Sequence, residues 1–521
     1  MKNQSLNDFA ETNRISIIVV SLCIVLTVLC ATLAPTVLRP LFTGPDGIRW
    51  IAPFFIVMGF FATGYSFYAL SYRKWSLTSE VFLAGATVTF FAGIITFIAL
   101  QRFSSGLRYI ETYNEIMAIR LSQGKSIYMN PEQGPVGTVY TPFFFMITSI
   151  FHRIVPAGYG YGRLVSLAAL LLTAWFVFRI VVLRGNPPSA GIWTAGVFLA
   201  TYFPMDALYD QSCVDTLQMC LTCITLFHFL KNTPRDDMLA LLLGGLACFT
   251  KQSAVYPFLV VSIAVLIKRR QWWVYRPLLF WAAAGCLLIL MTKGWAVTYL
   301  ITYPARHGIR AMPPFFLLRR FFLLQILLWC CVTVTGIKHW EHRFHIYFLS
   351  VLAASLSGIF KSGGGIHPLF PTEPLLCIAA APVLYRYKTI LLCQLIIGLH
   401  NPFTALYPWK TIREADREIV AVANSTDGEV WLPMESYLYS RTTKKDWDNF
   451  CALFGPMWAG FPTSERLASV LRTRRFERIL IRKNSTDLFR FFSPELRELI
   501  AAGYDRKDSG IVITYTRKQP L

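Results

Sequence analysis

Acidic side chains are scarce in this chain. Its 521 residues include 29 Asp and Glu against 50 Lys and Arg, a formal net charge of +21, and only 14 of the acids fall within residues 1–405. Charged residues of both signs make up 15% of the chain, where an ordinary soluble domain carries about 25%. With 55% hydrophobic residues and a mean hydropathy of +0.47, most of the chain is excluded from being a soluble globule. Internal repeats and low-complexity tracts are absent, which speaks against repeat-built secondary transporters. No glycine-rich loop opens a helix after a strand, so nucleotide and dinucleotide chemistry of the familiar kinds is excluded. A disulfide framework is missing as well. Most of the 12 Cys lie in apolar runs, and the Cys220–Cys223 pair has only His228 nearby, which reads as helix packing rather than zinc.

What the chain has instead is long apolar runs. About 20 apolar residues cross a bilayer as a helix, because every backbone group must be satisfied internally. On that measure about 13 transmembrane helices are expected, near 15–38, 50–70, 80–100, 162–183, 190–208, 212–230, 237–250, 253–267, 277–298, 314–337, 345–360, 369–385 and 389–405. The first, Ile15–Leu38, is too long for a signal-peptide core and reads as a retained anchor. Arg73/Lys74, Arg179/Arg184, Lys231/Arg235, Lys268–Arg270, Lys338/Arg343 and Arg386/Lys388 share one side if the N-terminus is cytoplasmic. Residues 101–161 then form a first outer loop, with a polar helix at Leu107–Ser122. Thr141–Val155 is too short to span and reads as a helix lying in the interface. Residues 406–521 change texture. Strands at Glu429–Pro433, Phe476–Ile481 and Gly510–Arg517 alternate with helices at Asp446–Trp458, Thr463–Thr473 and Pro494–Ala502. The expected architecture is a polytopic α-helical membrane domain (1–405) followed by a small extracytoplasmic α/β domain (406–521).

Charges beside spans are functional candidates by default, since a misplaced one costs several kcal/mol. Glu111 and Glu115 lie one turn apart on one helix face; they read as an acid–base pair, or as the solvated face of an amphipathic helix with Arg108 paired to Glu111. Asp206, Asp210 and Asp215 cluster at the outer end of two spans, and Asp215 falls inside an apolar run. Capping by Asp210 or Ser212 would account for one acid there. Lys251, Arg306, His307, Arg310, Lys361 and His367 stand in three outer segments, the last two flanking Gly363–Gly365. They suit a phosphate, although each alone reads equally as an interfacial anchor. Cations placed at span ends point to anionic lipid or lipid-linked phosphate rather than nucleic acid.

Several segments share the order of a known family. The run Glu111–Tyr128 (ETYNEIMAIRLSQGKSIY), Val139–Phe144 (VYTPFF), Gly162–Ser166 (GRLVS), Val214-Asp215, Thr250–Ser253 (TKQS) and the glycine-rich 361–368 loop resemble the GT-C class of integral membrane glycosyltransferases. Within that class they are similar to the bacterial branch that includes protein mannosyltransferases and the lipid A aminoarabinose transferases. The tail pattern around Leu453–Trp458, Arg475–Leu480 and Pro494-Glu-Leu resembles the C-terminal domain of such bacterial proteins.

The resemblance implies an inverting transfer of a sugar from a polyprenyl-phosphate donor to a lipid, glycan or protein acceptor, at the periplasmic side of a bacterial inner membrane. Glu111 matches the position of the family's first-loop base, with Glu115 and Asp215 in support and the outer cations on the leaving phosphate. The chain differs in having a single acid at that point and two additional spans before it. Relatives divide over a divalent cation, so that ion is the one cofactor implied, with no ligands assigned. A transporter or flippase of an anionic or lipid-linked substrate is the alternative reading.

Overall fold

The computed structural model describes residues 77–103, 109–154, 160–309, 319–338, 340–361, 365–399, 409–444, 465–473, 475–483 and 494–518, together with Leu317 and Leu453. The expected spans at 15–38 and 50–70, Arg310, and all of the Asp446–Trp458 helix except Leu453 lie outside these residues.

The membrane part is built of α1 (Leu77–Phe103), α4 (Tyr161–Leu183), α5 (Pro188–Ala200), α6 (Val214–Lys231), α7 (Pro234–Thr250), α8 (Val255–Lys268), α9 (Arg276–Met291), α10 (Ile326–Lys338), α11 (His342–Phe360), α12 (Thr372–Arg386) and α13 (Lys388–Gly398). Between α1 and α4 lie α2 (Tyr109–Ser122) and α3 (Phe143–Ile154). The expected interior spans thus match helices, several of them shorter than a bilayer is thick. Four segments are long and apolar enough to cross a membrane among the described residues: Glu80–Ala99, Tyr161–Leu183, Trp272–Met291 and His342–Phe360. α9 presents Leu279, Phe280, Leu287, Leu290 and Met291 outward, a surface suited to lipid.

Turn chemistry sets the helix ends. Asn232 closes α6 in the left-handed region (φ 59°). Thr233 then caps α7 by accepting from the Asp236 backbone N–H, and Pro234 opens the helix. α7 stops at Lys251, whose backbone is extended, and a 3₁₀ turn over Gln252–Ala254 leads into α8. This break places Lys251 at one end of the bundle. At the opposite end the basic clusters meet their partners. Asp237 holds Arg269 (2.6 Å) and Arg343 (3.6 Å), Glu341 holds Arg184 (2.6 Å), and Lys388 pairs with Glu80.

α3 is two-faced. Phe144, Phe145, Thr148, Ser149 and His152 turn inward, while Met146, Ile150, Phe151 and Ile154 are exposed. α2 departs from the solvated-face reading: every residue from Glu111 to Arg120 is buried. Its polar face is covered by the α4 N-terminus and the 210–215 turn. A turn of the tail, Ser436–Arg441, also packs on it.

The tail forms α14 (Trp409–Asn424), β1 (Glu429–Trp431), α15 (Glu465–Arg472), β2 (Phe476–Arg482), α16 (Pro494–Gly503), β3 (Tyr504–Asp508) and β4 (Val512–Arg517). The sheet order is β1-β2-β4-β3, with β1 parallel to β2 and the other pairs antiparallel. β3 and β4 make a hairpin whose turn needs Gly510 at φ 96°. Two elements differ from the sequence expectation. β3 reads YDRKD, too charged for an alternating pattern to show, and exposes all but Tyr504. α14 packs on β2, where sequence reading placed no element.

Arg482 at the end of β2 anchors this layer. Its Nε bonds Asp416 Oδ1 of α14 (2.9 Å), its Nη2 bonds the Tyr437 hydroxyl (2.8 Å), and Glu435 lies 3.5 Å away. Burial disfavours the guanidinium's charge, but Tyr437, Asp416 and Glu435 outweigh it and raise the pKa above the usual arginine value. Arg482→Ala should strand two buried carboxylates at about 3–5 kcal/mol. A clearly lower thermal midpoint of the purified protein is expected, with partial recovery in Arg482→Lys; an unchanged midpoint would contradict the anchoring role.

Candidate active site

Three buried ion pairs and one carboxylate–histidine pair line up across the end of the bundle that carries Lys251. Glu111 receives the Arg163 guanidinium as a fork, Nε to Oε1 at 2.6 Å and Nη2 to Oε2 at 2.8 Å, and Oε1 also accepts from Ser212 N (3.1 Å). Arg163 donates further to the Arg102 carbonyl. Arg102 in turn bonds Asp210 (2.6 Å), the Ala207 carbonyl (2.6 Å) and Tyr202 (3.1 Å).

One turn along α2, Glu115 Oε1 lies 2.8 Å from His152 Nε2 and accepts from Gly160 N (2.7 Å) and Tyr161 N (3.1 Å); Oε2 accepts from Ser212 Oγ (3.3 Å). This carboxylate therefore caps the positive end of α4. Gly160 is left-handed there (φ 84°). A Cβ at Gly162 would fall 1.9 Å from Ser212 Oγ, so the α4 start and the 210–215 turn approach as closely as only glycine permits. Neither Asp210 nor Ser212 caps α6. Its N-cap is Cys213, without a side-chain bond, because both polar residues are committed to Arg102 and to the Glu115 cluster.

The fourth pair is chemically different. Asp215, in the first turn of α6, pairs through Oδ1 with Lys251 from the break between α7 and α8, and its Oδ2 accepts from Cys213 Sγ (2.9 Å). Lys251 Nζ also stands 5.7 Å from the Tyr140 ring centroid. The turn bearing Tyr140 is tied to the same break: Thr141 Oγ1 donates to the Cys248 carbonyl (2.9 Å), and Gln252 Nε2 donates to the Val139 carbonyl (2.6 Å). Tyr128 supports it from below by donating to the Tyr140 carbonyl (2.5 Å). Burial pushes the Tyr128 phenol well above its usual pKa and keeps it a donor. His367 Nδ1 comes within 3.7 Å of Cys213 Sγ. Deeper along the α6 face that carries Asp215, a small cavity is lined by Gln218, Thr222, Ser253, Ser355, Pro368 and Pro371.

The loops that carry the remaining cations are bridged to each other. Ile309 and Lys361 form an antiparallel bridge, and Lys361 Nζ donates to the Pro304 carbonyl (3.2 Å). The segment bearing Arg306 and His307 is thereby joined to the segment bearing Lys361 and His367. Of the residues singled out from sequence, Asp215, Lys251 and His367 come together; Lys361 links two loops; Glu111 and Glu115 form a separate cluster one residue row away, joined through Ser212. As for a divalent cation, Glu111 and Glu115 are already occupied by Arg163, His152 and backbone donors, so they fit one poorly. Among the described residues, the donors that converge are Cys213, Asp215 and His367.

Sequence reading missed the roles of Arg102, His152, Arg163, Ser212 and Cys213. Arg163 was open to discovery, being a cation at the head of an apolar run. Cys213 was hidden by its ordinary apolar neighbours. Removing one partner of a buried pair costs about 3–5 kcal/mol, whereas removing both can be nearly neutral. Arg163→Met should therefore destabilise strongly, and Arg163→Met with Glu111→Gln should recover much of the loss. Thermal denaturation of the single and double variants measures this coupling; additive losses would argue against the pair.

A family model described as dolichyl-phosphate-mannose-protein mannosyltransferase matches residues 139–295, the stretch from the Val139–Thr141 turn through α6, Asp215 and Lys251. No curated protein matches the sequence. Among solved structures, the crystal structure of ArnT from Cupriavidus metallidurans bound to undecaprenyl phosphate is similar, with a TM-score of 0.57 at 12% identity over 83% of this chain and 99% of that one. The apo state of the same protein gives 0.52 at 14% identity over the same shares. Residues 139–295 are thus similar to that mannosyltransferase family and the fold is similar to that of ArnT, which together support a membrane glycosyltransferase of the GT-C class.

Proposed function

We propose that this protein transfers a sugar from a polyprenyl-phosphate donor to a lipid, glycan or protein acceptor at the outer face of a bacterial inner membrane. The observation that carries the proposal is the buried Asp215–Lys251 pair, with His367 close to the neighbouring Cys213 and with the segments bearing Arg306, His307 and Lys361 bridged to one another. The undecaprenyl phosphate in the similar ArnT structure supports a carrier of that kind. About 13 spans, a cytoplasmic N-terminus and an extracytoplasmic domain at 406–521 belong to the same reading.

In an inverting transfer the acceptor hydroxyl attacks the anomeric carbon while the bond from that carbon to the phosphate oxygen breaks. A carboxylate takes the hydroxyl proton, and cations offset the charge on the departing phosphate. Asp215 is our choice for the base in preference to Glu111. Glu111 is locked in a rigid guanidinium fork, which neutralises it and fixes its oxygens. Lys251 is a point charge on a flexible stem, able to leave Asp215 for the incoming phosphate. Donor binding would then uncover Asp215 Oδ1, tying the base's readiness to an occupied site. Glu111 and Glu115 act as positioning residues by holding the Ser212–Asp215 turn.

Two measurements test this. With purified protein in nanodiscs and a panel of labelled polyprenyl-phosphate sugars, Asp215→Asn should lower kcat by about 10²-fold or more, and Lys251→Met should chiefly raise the donor KM. Full transfer by Asp215→Asn would remove it from the base role and return Glu111 to it; no transfer by the parent protein with any donor would sink the reading. For sidedness, a Cys at the exposed position 125 in Lys125→Cys should react with an impermeant maleimide in intact spheroplasts. Labelling only after lysis would place the site on the wrong side.

A further inference from the structure

We propose that Cys213, Asp215 and His367 form a site for a zinc-class divalent cation whose occupancy withdraws Asp215 from sugar transfer. The binding stands on geometry alone; the inhibitory consequence rests on the function proposed above. One ligand atom from each residue lies within 4.8 Å of the others. Cys213 Sγ is 2.9 Å from Asp215 Oδ2 and 3.7 Å from His367 Nδ1. The three come from two separate segments, the head of α6 and the turn His367–Leu369, so their meeting is a product of the fold. Cys213 and Asp215 are buried and His367 is half-buried, which leaves the histidine side as the way in.

The donor set selects the ion. A thiolate, an imidazole and one carboxylate oxygen suit zinc and its neighbours, whereas magnesium and calcium require oxygen ligands. Around a tetrahedral zinc with bonds of about 2.0–2.3 Å, ligand atoms stand about 3.3–3.6 Å apart. The sulfur–imidazole separation is already close to that. The sulfur–carboxylate separation has to open by about half an ångström, as it would once the shared thiol proton is gone and two anions face each other.

The exchange balances without a redox partner. The metal forms bonds to Sγ, Oδ2 and Nδ1, and the Cys213 thiol releases one proton to solvent. Lys251 sits on the other carboxylate oxygen, Oδ1, so the ion does not have to displace it. The new thiolate offsets part of the repulsion between metal and ammonium. With Oδ2 on the metal and Oδ1 on Lys251, Asp215 has little proton affinity left.

Cobalt(II) is the probe for the thiolate. The full-length protein in nanodiscs should bind Co²⁺ with a sulfur-to-cobalt charge-transfer absorption, and titration calorimetry should show zinc competing for one site. Cys213→Ser should abolish the absorption, and His367→Ala should weaken zinc by about tenfold or more. Cys220→Ser, at a buried cysteine elsewhere on α6, should change neither. Zinc should also inhibit transfer, at concentrations raised about tenfold or more in His367→Ala relative to that variant's own metal-free rate. A missing charge-transfer band, or binding indifferent to both Cys213→Ser and His367→Ala, overturns the site. Binding without inhibition overturns its consequence. Binding by a protein that transfers no sugar under any condition supports the site and counts against the functional reading instead.

Discussion

The carboxylate of Glu111 rests in the fork of the Arg163 guanidinium, and the outer half of the molecule is arranged around that contact. A charge this deep tolerates no vacancy beside it. Arg163 is therefore fixed at the head of α4, its remaining donor goes to the Arg102 carbonyl, and Arg102 is held in turn by Asp210. Glu115 satisfies the first amides of α4 from the same helix. These links join α1, α2, α4 and the 210–215 turn into one unit, and the turn delivers Cys213 and Asp215 to the head of α6. Gly162 permits the approach, since a side chain there would strike Ser212.

The same frame separates two kinds of ion pair. A guanidinium fork is planar, permanently charged and geometrically demanding, which suits it to hold a scaffold. An ammonium on four methylenes can move several ångströms without disturbing its backbone. The pairs on Glu111 and Asp210 use arginine, that on Glu115 uses histidine, and the pair on Asp215 uses lysine. That division places rigidity where the turn must be fixed and mobility where, on the proposed function, a phosphate would be met.

The sequence revealed the membrane architecture well, because bilayer thickness and the need to satisfy backbone groups leave a narrow range of apolar lengths. α4, α6 and α11 begin or end within three residues of the expected limits. Three of the cations expected on one side, Arg184, Arg269 and Arg343, are held by Asp237 and Glu341. Asp215 and Lys251 stood out because charge inside or beside an apolar run is costly. The burial of α2 was not legible: Glu111, Asn114 and Glu115 look solvated until Arg163, His152 and Ser212, far away in the chain, are brought to them. Nor was the chain legible at β3, whose charges conceal a strand that is paired through its backbone, or at Cys213, whose value depends on a histidine more than 150 residues distant.

Likeness of fold does not carry the chemistry by itself, since one architecture hosts many reactions, and at 12% identity the ArnT comparison speaks for architecture. The chemical argument has to come from the side chains, and these involve the tail. The change of texture near residue 406 does not divide the core. One continuous apolar cluster contains Tyr113, Ile116 and Met117 of α2, Val214 of α6, and Tyr437, Leu438 and Ile479 of the tail. The Ser436–Arg441 turn packs directly on the helix that bears Glu111 and Glu115, and Arg482 holds the base of that turn through Glu435 and Tyr437. The tail thus packs on the face of α2 that carries Tyr113, Ile116 and Met117, while the α4 N-terminus and the 210–215 turn cover the face that carries Glu111 and Glu115. With apolar packing on one face and ion pairing on the other, the polar tail shares one core with the helix that bears these carboxylates.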